Sequence, residues 1–233
     1  MLSKRFKVIE KLIEGKQDGV IVTLAEAIDL LKKCPPLKFD QSVDISLKMG
    51  VDIKKADQQV RGTVSLPYGT GKTIKVIVFA KGDAVKQALD AGADYAGGDD
   101  LIEKVKNGWV DFDVVVSTPE FMREVGKLGK VLGPRGLMPT PKAGTVTNDP
   151  SKAIKELKAG KIEFKIDKNG LINNMVGKLS FKAEELIENI KMLVLAINRA
   201  KPSGAKGVYI KSLAISSTMG PGFKIDIQSL VTP

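Results

Sequence analysis

The spacing of apolar residues changes twice along this chain, and this change constrains the fold more than any other feature. Between residues 43 and 51 apolar and polar residues alternate, which is typical of a strand with one buried face. At residues 74–80, which Lys75 alone interrupts, and at residues 114–116 the apolar residues are continuous, which is typical of strands buried on both faces. Alternation returns at residues 162–166 and 223–227. The two ends of the chain therefore predict one kind of sheet, and the middle predicts another.

Helical patterns accompany both kinds of strand. Thr23 and Glu26 have the spacing of a capping box that opens a helix running to about Lys33. An amphipathic helix is predicted over residues 183–199, and shorter helices are predicted over residues 3–13, 84–91 and 101–106. A further strand is predicted at about residues 62–66. We therefore predict an α/β fold in which a basic antiparallel domain, built from both termini, is interrupted by a parallel α/β insert. Two sequential domains, broken near residue 67 or 160, are the alternative.

The charge divides in the same way as the periodicity. The chain has 37 Lys and Arg against 27 Asp and Glu, a net charge of +10. Residues 68–159 hold 14 basic and 12 acidic residues, and the two terminal segments hold the other 23 and 15. The termini thus carry +8 of the net charge, which favours nucleic acid as their partner.

Composition also excludes several chemistries. The chain has no His, so a Ser-His-Asp triad, a Cys-His pair and a His-based zinc site are all excluded. A single Cys, Cys34, forms no internal disulfide and no metal cluster, which suits a reducing cytosol. The basic N-terminus is followed by no long apolar segment, so we expect no signal peptide and no membrane helix. We expect a cytoplasmic protein without a metal or cofactor.

The segment from Leu66 to Thr73 is similar to a phosphate-binding P-loop but departs from it in two ways. Leu66 stands where the first Gly of the motif belongs, and the segment precedes an apolar strand instead of following one. We interpret it as a turn at a domain joint. A nucleotide-binding enzyme that uses a P-loop or a Rossmann-like insert is the rival in the enzyme class.

Three other loops carry candidate binding residues. Residues 127–145 contain four cations and no acid, so this loop could meet phosphates or pack at a domain interface. Gly97–Asp100 is more simply a turn and helix cap than a calcium loop, because it offers only two carboxylates. Residues 216–222 combine hydroxyls, Met219 and glycines, which suits either a bulged turn or close approach of an RNA backbone.

Phe39 is an aromatic candidate for RNA contact or an ordinary core residue.

Taken together, several stretches resemble the family of the bacterial large-subunit ribosomal protein L-one, the protein of the mobile stalk. They occur in one order and cover essentially the whole chain: Lys38–Asp40, Asp57–Thr63, Ala91–Tyr95, Gly108–Asp113, Gly133–Thr145, Lys158–Phe164 and Ser217–Pro221.

The resemblance implies a discontinuous fold. Residues 1–67 and 160–233 would form a two-layer α/β sandwich with an antiparallel sheet. Residues 68–159 would form a three-layer, Rossmann-like α/β insert without a nucleotide.

The resemblance also implies a non-enzymatic function. The chain would be a structural constituent of the large subunit that binds the rRNA stalk element and assists release of exit-site tRNA. It would also repress translation by binding its own operon mRNA, and it would be monomeric when free. A free repressor that never joins ribosomes is an alternative with the same surface chemistry.

The resemblance carries over two sets of contacts onto this sequence. The implied rRNA contacts are Lys38, Phe39, Ser42, Asp44, Lys165, Asp167, Lys168, Ser216, Thr218, Met219 and Gly220. The implied tRNA contacts are Lys54, Lys55, Arg61 and Lys165. Two positions depart from the family pattern. Ser42 stands where Thr is frequent and keeps only the hydroxyl, and Asn173 stands where many relatives have His, so it has no titratable charge.

Overall fold

A computed structural model describes residues 4–14, 20–53, 55, 58–202, 204–205 and 207–227. The chain divides into two compact units: a terminal unit, Met1–Gly71 with Glu163–Pro233, and an insert unit, Lys72–Ile162. These divisions lie within a few residues of the domain boundaries predicted from the sequence. Whether the two units fold independently stays a prediction.

The helices of the described residues are α1 (Lys4–Leu12), α2 (Leu24–Lys33), α3 (Asp83–Asp90), α4 (Asp99–Lys106), α5 (Met122–Lys127), α6 (Gly129–Leu132), α7 (Pro150–Lys158) and α8 (Ala183–Arg199). The strands are β1 (Ile21–Val22), β2 (Ser42–Met49), β3 (Arg61–Ser65), β4 (Val76–Phe79), β5 (Tyr95–Gly97), β6 (Val114–Ser117), β7 (Lys161–Lys165), β8 (Leu171–Lys178), β9 (Ile210–Ser217) and β10 (Gly222–Ile225). None of the helices in the described part of the chain is long and apolar enough to cross a bilayer.

The terminal unit is built on a five-stranded sheet in the order β1-β10-β9-β2-β8. β1 is parallel to β10, and the other neighbours are antiparallel. β3 and β7 form a separate two-stranded sheet. The strand β2, which lies between β8 and β9, shows the predicted alternation, because Val43, Ile45 and Leu47 are fully buried while Ser46 and Lys48 are exposed.

Helices α2 and α8 cover one face of the five-stranded sheet. α2 contacts β9 and β10, α8 contacts β8, and the two helices contact each other. The predicted capping box is present at α2, where the Thr23 hydroxyl accepts from the Glu26 amide and the Glu26 carboxylate accepts from the Thr23 amide. Burying the apolar stripes of both helices supplies the core of this layer and leaves the opposite face of the sheet to solvent.

The insert unit has a three-stranded parallel sheet in the order β5-β4-β6. Ile77 and Phe79 of β4 pack into one core with residues of α4, α5 and α6. Val76 and Val78 pack into a second core with residues of α3 and α7. Both faces of the sheet are therefore covered, as the continuous apolar run predicts, and the α/β fold class is confirmed.

The strand β8 is missing from the sequence prediction for a local reason. It contains Asn173, Asn174 and Gly177, and these residue types are depleted in strands. Both asparagine side chains form hydrogen bonds in the structure: the Ser46 hydroxyl donates to Asn173 Oδ1 at 2.7 Å, and Asn174 Nδ2 donates to the Glu163 carbonyl at 2.8 Å. A Cβ on Gly177 would lie 2.7 Å from Leu186 Cδ2, so the glycine allows α8 to pack closely.

The loop after β3 is a turn fixed by α8, as its departures from the P-loop pattern indicate. Asn189 of α8 is fully buried. Its Oδ1 accepts from the Tyr68 amide at 3.2 Å, and its Nδ2 donates to the carbonyls of Gly69 at 2.9 Å and Val176 at 2.8 Å. Gly69 and Gly71 have φ of 64° and 69°, which glycine adopts without strain.

We expect Asn189→Leu to destabilise the terminal unit by about 2–3 kcal/mol, because it leaves buried backbone groups without partners. The measurement is the free energy of unfolding in urea. Lys191→Gln, an exposed change on the same helix, is the control and should stay within about 0.5 kcal/mol of the unchanged chain. Equal unfolding free energies for the Leu variant and the unchanged chain would show that the amide does not hold the loop.

Candidate nucleic-acid interface

Two chain segments that are far apart in sequence meet where β2 begins and β9 ends. The Thr218 amide donates to the Ser42 carbonyl at 3.0 Å. In return, the Ser42 amide donates to the Thr218 hydroxyl oxygen at 2.9 Å. This exchange continues the β2–β9 ladder by one residue and fixes the Thr218 side chain.

The turn at residues 217–220 is held from both sides. The Met219 amide donates to Gln41 Oε1 at 3.1 Å, and Arg5 Nη1 donates to the Met219 carbonyl at 2.6 Å. A Cβ on Gly220 would lie only 2.1 Å from Ser217 Oγ, so a larger residue there must displace the turn. The backbone of this turn is therefore set before any ligand arrives.

Eight of the predicted rRNA contacts belong to the two segments that meet at this turn. We call this set the turn surface: Lys38, Phe39, Ser42, Asp44, Ser216, Thr218, Met219 and Gly220. Phe39 is 53% exposed and Met219 is 58% exposed, so neither side chain belongs to the core. The interpretation of Phe39 as an ordinary core residue is therefore wrong. Two large apolar groups lie in solvent beside hydroxyls and a fixed backbone, which suits contact with sugars and bases.

Lys178 places a positive charge next to the turn surface. Its Nζ lies 3.3 Å from Ser42 Oγ and 3.5 Å from the Asp40 carbonyl oxygen. Asp44 pairs with Ser216 across the β2–β9 ladder. Partial burial raises the pKa of the Asp44 carboxyl, and the Lys178 charge lowers it by less. The sheet thus holds the partly desolvated Asp44 carboxyl near the Lys178 ammonium.

The remaining predicted contacts that the structure describes lie toward the opposite end of β2. The Met49 amide donates to the Gly170 carbonyl at 2.8 Å, which places the turn between β7 and β8 at the end of β2. The eight residues of β2 span roughly 23 Å at about 3.3 Å per residue. We call Lys55, Arg61, Lys165, Asp167 and Lys168 the far-end group. The structure therefore separates it from the turn surface by the length of a strand.

Within the far-end group, two side chains have partners in the protein. Asp167 Oδ1 accepts from the amides of Asn169 at 2.7 Å and Leu171 at 2.8 Å, so this carboxylate shapes the turn that carries Lys168. Arg61 forms an ion pair with Glu163. Lys165 and Lys168 are exposed. Lys54 lies outside the described residues.

The open face of the sheet connects the two groups. Ser46 and Asn173 are exposed and paired in register, and Ser46 also pairs with Ala214 of β9. Since these side chains are short, the face offers hydrogen-bonding groups close to the backbone. Asn173 therefore binds Ser46 within the protein and carries no charge.

Three residues of the interface are absent from the sequence prediction. Arg5 and Gln41 hold the turn, and Lys178 places a cation among Asp40, Ser42 and Asp44. The basic N-terminus was a weak signal for Arg5. Gln41 and Lys178 gave none, because their roles depend on pairings between distant segments.

In the insert unit, Gly98 is the N-cap of α4, and Asp99 and Asp100 lie in its first turn, as expected for a helix start. Lys130, Arg135 and Lys142 of the basic loop are exposed. Among the residues that the structure describes, no group of three or more His, Cys, Asp or Glu side chains could hold a metal ion. The two interpretations of the basic loop stay open.

The structure thus combines a two-unit α/β architecture with a candidate surface of hydroxyls, amides and cations. Comparison with known families assigns this architecture to one family. The model of the ribosomal protein L1p/L10e family matches residues 30–221, which is most of the chain.

Individual relatives agree with the family match. A "Large ribosomal subunit protein uL1" of Protochlamydia amoebophila is 67% identical over 226 residues, covering 97% of this chain and 94% of the relative. Proteins of the same name from Chlamydia caviae and Chlamydia abortus are 59% and 58% identical over 230 residues, with 99% of each chain covered. The chain therefore belongs to the ribosomal protein L1p/L10e family. This membership confirms the resemblance and the prediction of a non-enzymatic protein.

We expect the Asp44 carboxylate to cost stability near neutral pH. Because the folded-state pKa lies above the ordinary value, the acid form favours folding, and this contribution is lost as the pH rises through the folded-state pKa. The advantage of Asp44→Asn in unfolding free energy should therefore grow between pH 4 and pH 7. Urea unfolding at several pH values measures it, with the exposed change Asp29→Asn as the control. An advantage that shrinks with rising pH would contradict the assignment.

Proposed function

We propose that this chain is a structural constituent of the large ribosomal subunit and that its turn surface binds the rRNA of the mobile stalk. The observation that carries the proposal is the convergence of residues 38–44 and 216–220 into one fixed surface. The family membership and the printed names of the relatives support the ribosomal assignment. The +8 charge of the terminal segments supports an anionic partner.

The proposed mechanism uses a preformed protein surface against folded RNA. Exposed lysines neutralise phosphates, while hydroxyls and backbone groups set the register of the complex. The Asp44 carboxylate accepts a hydrogen bond from a ribose hydroxyl or a base amine. Met219 and Phe39 lie against sugars or bases, and shape is read without a pair of stacking aromatic residues.

The far-end group takes a second RNA segment in this proposal. Because it lies about a strand length from the turn surface, one short RNA loop does not occupy both. Lys55, Arg61 and Lys165, together with Lys54, would contact exit-site tRNA and assist its release. An rRNA segment beside the one at the turn surface would also contact Lys165, Asp167 and Lys168.

The turn surface would also serve in translational repression. An mRNA element that reproduces the shape of the stalk rRNA would meet the same hydroxyls and cations. We therefore propose that the chain binds its own operon mRNA when ribosomal sites are filled, as a cytoplasmic monomer. Co-sedimentation with ribosomes separates this function from that of a free repressor.

The nucleotide-enzyme alternative rests only on the sequence of residues 66–73, and the family membership contradicts it. The structure uses this segment as a turn bound to Asn189, with Tyr68 and Gly69 as its partners. Calorimetric titration with ATP and magnesium tests the rival directly. Saturable, magnesium-dependent binding would favour it over the RNA-binding proposal.

The test of the RNA-binding proposal compares two variants of the chain. We propose that the terminal unit folds alone, so removal of residues 72–162 should leave affinity for the stalk rRNA nearly unchanged at several salt concentrations. Gly220→Ala in the full chain should weaken specific binding by about 1–3 kcal/mol, the range of a good base contact. Gly222→Ala, where a Cβ meets nothing within 4 Å, is the matched control.

Filter binding or calorimetry measures these affinities, and circular dichroism checks the fold of each variant. A folded terminal unit that fails to bind stalk rRNA would contradict the proposal. Equal affinities of the two glycine variants would remove the turn from the interface.

A further inference from the structure

Arg5 of α1 joins the two segments that build the turn surface. Its Nη1 donates to the Met219 carbonyl at 2.6 Å, and its Nε donates to the Pro35 carbonyl at 3.4 Å. Met219 lies at the tip of the turn, and Pro35 lies three residues before Lys38. One guanidinium group therefore bridges the chain before β2 and the chain after β9.

Apart from Arg5, few side chains of α1 are buried against the rest of the protein. The structure describes the whole of α1, and Ile9 is its one buried residue. Phe6 and Val8 are 47% and 48% exposed. The short helix thus fully buries one apolar side chain, and its Arg5 side chain contacts two distant segments.

The environment of the guanidinium distinguishes it from the lysines of α1. Arg5 is partly buried, whereas Lys4, Lys7 and Lys11 are exposed. Its Nη2 is enclosed by protein and has no hydrogen-bond partner among the described residues. A group enclosed in this way is poorly placed to meet an RNA phosphate, so its role differs from that of a surface cation.

The geometry also requires arginine. A guanidinium donates from several nitrogens in one rigid plane, so it can hold two carbonyls in a fixed relation. An ammonium keeps the charge but lacks the planar fork. Arg5→Lys therefore separates the effect of charge from the effect of geometry.

We propose that Arg5 is a positioning residue for RNA binding, which holds the Met219 turn and the Pro35–Lys38 segment in their binding arrangement without contacting RNA itself. This inference rests on the proposed function of the turn surface. In this proposal α1 contributes to specific rRNA binding by fixing the turn that carries Met219.

The test measures affinity of the full chain for stalk rRNA as a function of salt, for Arg5→Gln, Arg5→Lys and the control Lys7→Gln. We expect Arg5→Gln to weaken specific binding by about tenfold or more, because charge-assisted hydrogen bonds to both segments are lost. Arg5→Lys should recover less than half of that loss on a logarithmic scale. The slope of log K against log salt should stay the same in both variants, whereas a lost phosphate contact would flatten it by about 0.7–0.9.

A double-mutant cycle of Arg5→Gln with Thr218→Val measures how far the two side chains act together in rRNA binding. A general loss of stability would not produce such coupling. If Arg5 acts through the turn, the combined loss is smaller than the sum of the single losses. Full recovery by Arg5→Lys, a flattened salt slope in Arg5→Gln, or additive losses would each overturn the positioning role. Failure of the unchanged chain to prefer stalk rRNA over unrelated duplex RNA would instead refute the proposed function, so the two failures are distinguishable.

Discussion

The antiparallel pairing of β2 with β9 is the interaction on which the rest of the terminal unit depends. It joins residues 42–49 to residues 210–217, and the exchange between Ser42 and Thr218 closes its end. With β2 paired on both sides, the sheet can bury Val43, Ile45 and Leu47 under α2 and α8 and still present a polar face. The turn surface lies where this pairing ends, so the fold of the terminal unit sets the arrangement of this part of the candidate interface.

This long-range pairing also explains why the chain tolerates an insert. The terminal unit needs its first and last segments in one sheet, and the intervening residues contribute separate cores on both faces of a parallel sheet. The charge distribution follows the same division, because the insert is nearly neutral while the termini are basic. A surface for an anionic partner can therefore be built without the parallel unit.

Much of the architecture could be predicted from local patterns. Examples are the alternation around Val43, the capping box at Thr23 and the amphipathic pattern of α8. Each pattern arises from interactions or burial within a short stretch of sequence. The continuous apolar run of β4 likewise reports burial on two faces. β8 could not be predicted, because its two asparagines form hydrogen bonds with Ser46 of β2 and with the Glu163 carbonyl, and sequence alone does not show these partners.

The candidate site was predictable as a set of residues but not as an arrangement. The resemblance places Ser42 and Lys168 in one list, whereas the register of β2 with β8 and β9 puts them at opposite ends of a strand. Register is a property of paired segments, so it is not visible in either segment alone. The supports of the turn, Arg5 and Gln41, were missed for the same reason.

Crosslinking within purified ribosomes tests the central claim most directly, with each crosslink mapped to a nucleotide and a residue. The account predicts crosslinks from Phe39 and Met219 to one element of large-subunit rRNA, and crosslinks from the far-end group to a different RNA segment. Crosslinks to that rRNA element confined to residues 72–162 would contradict the account.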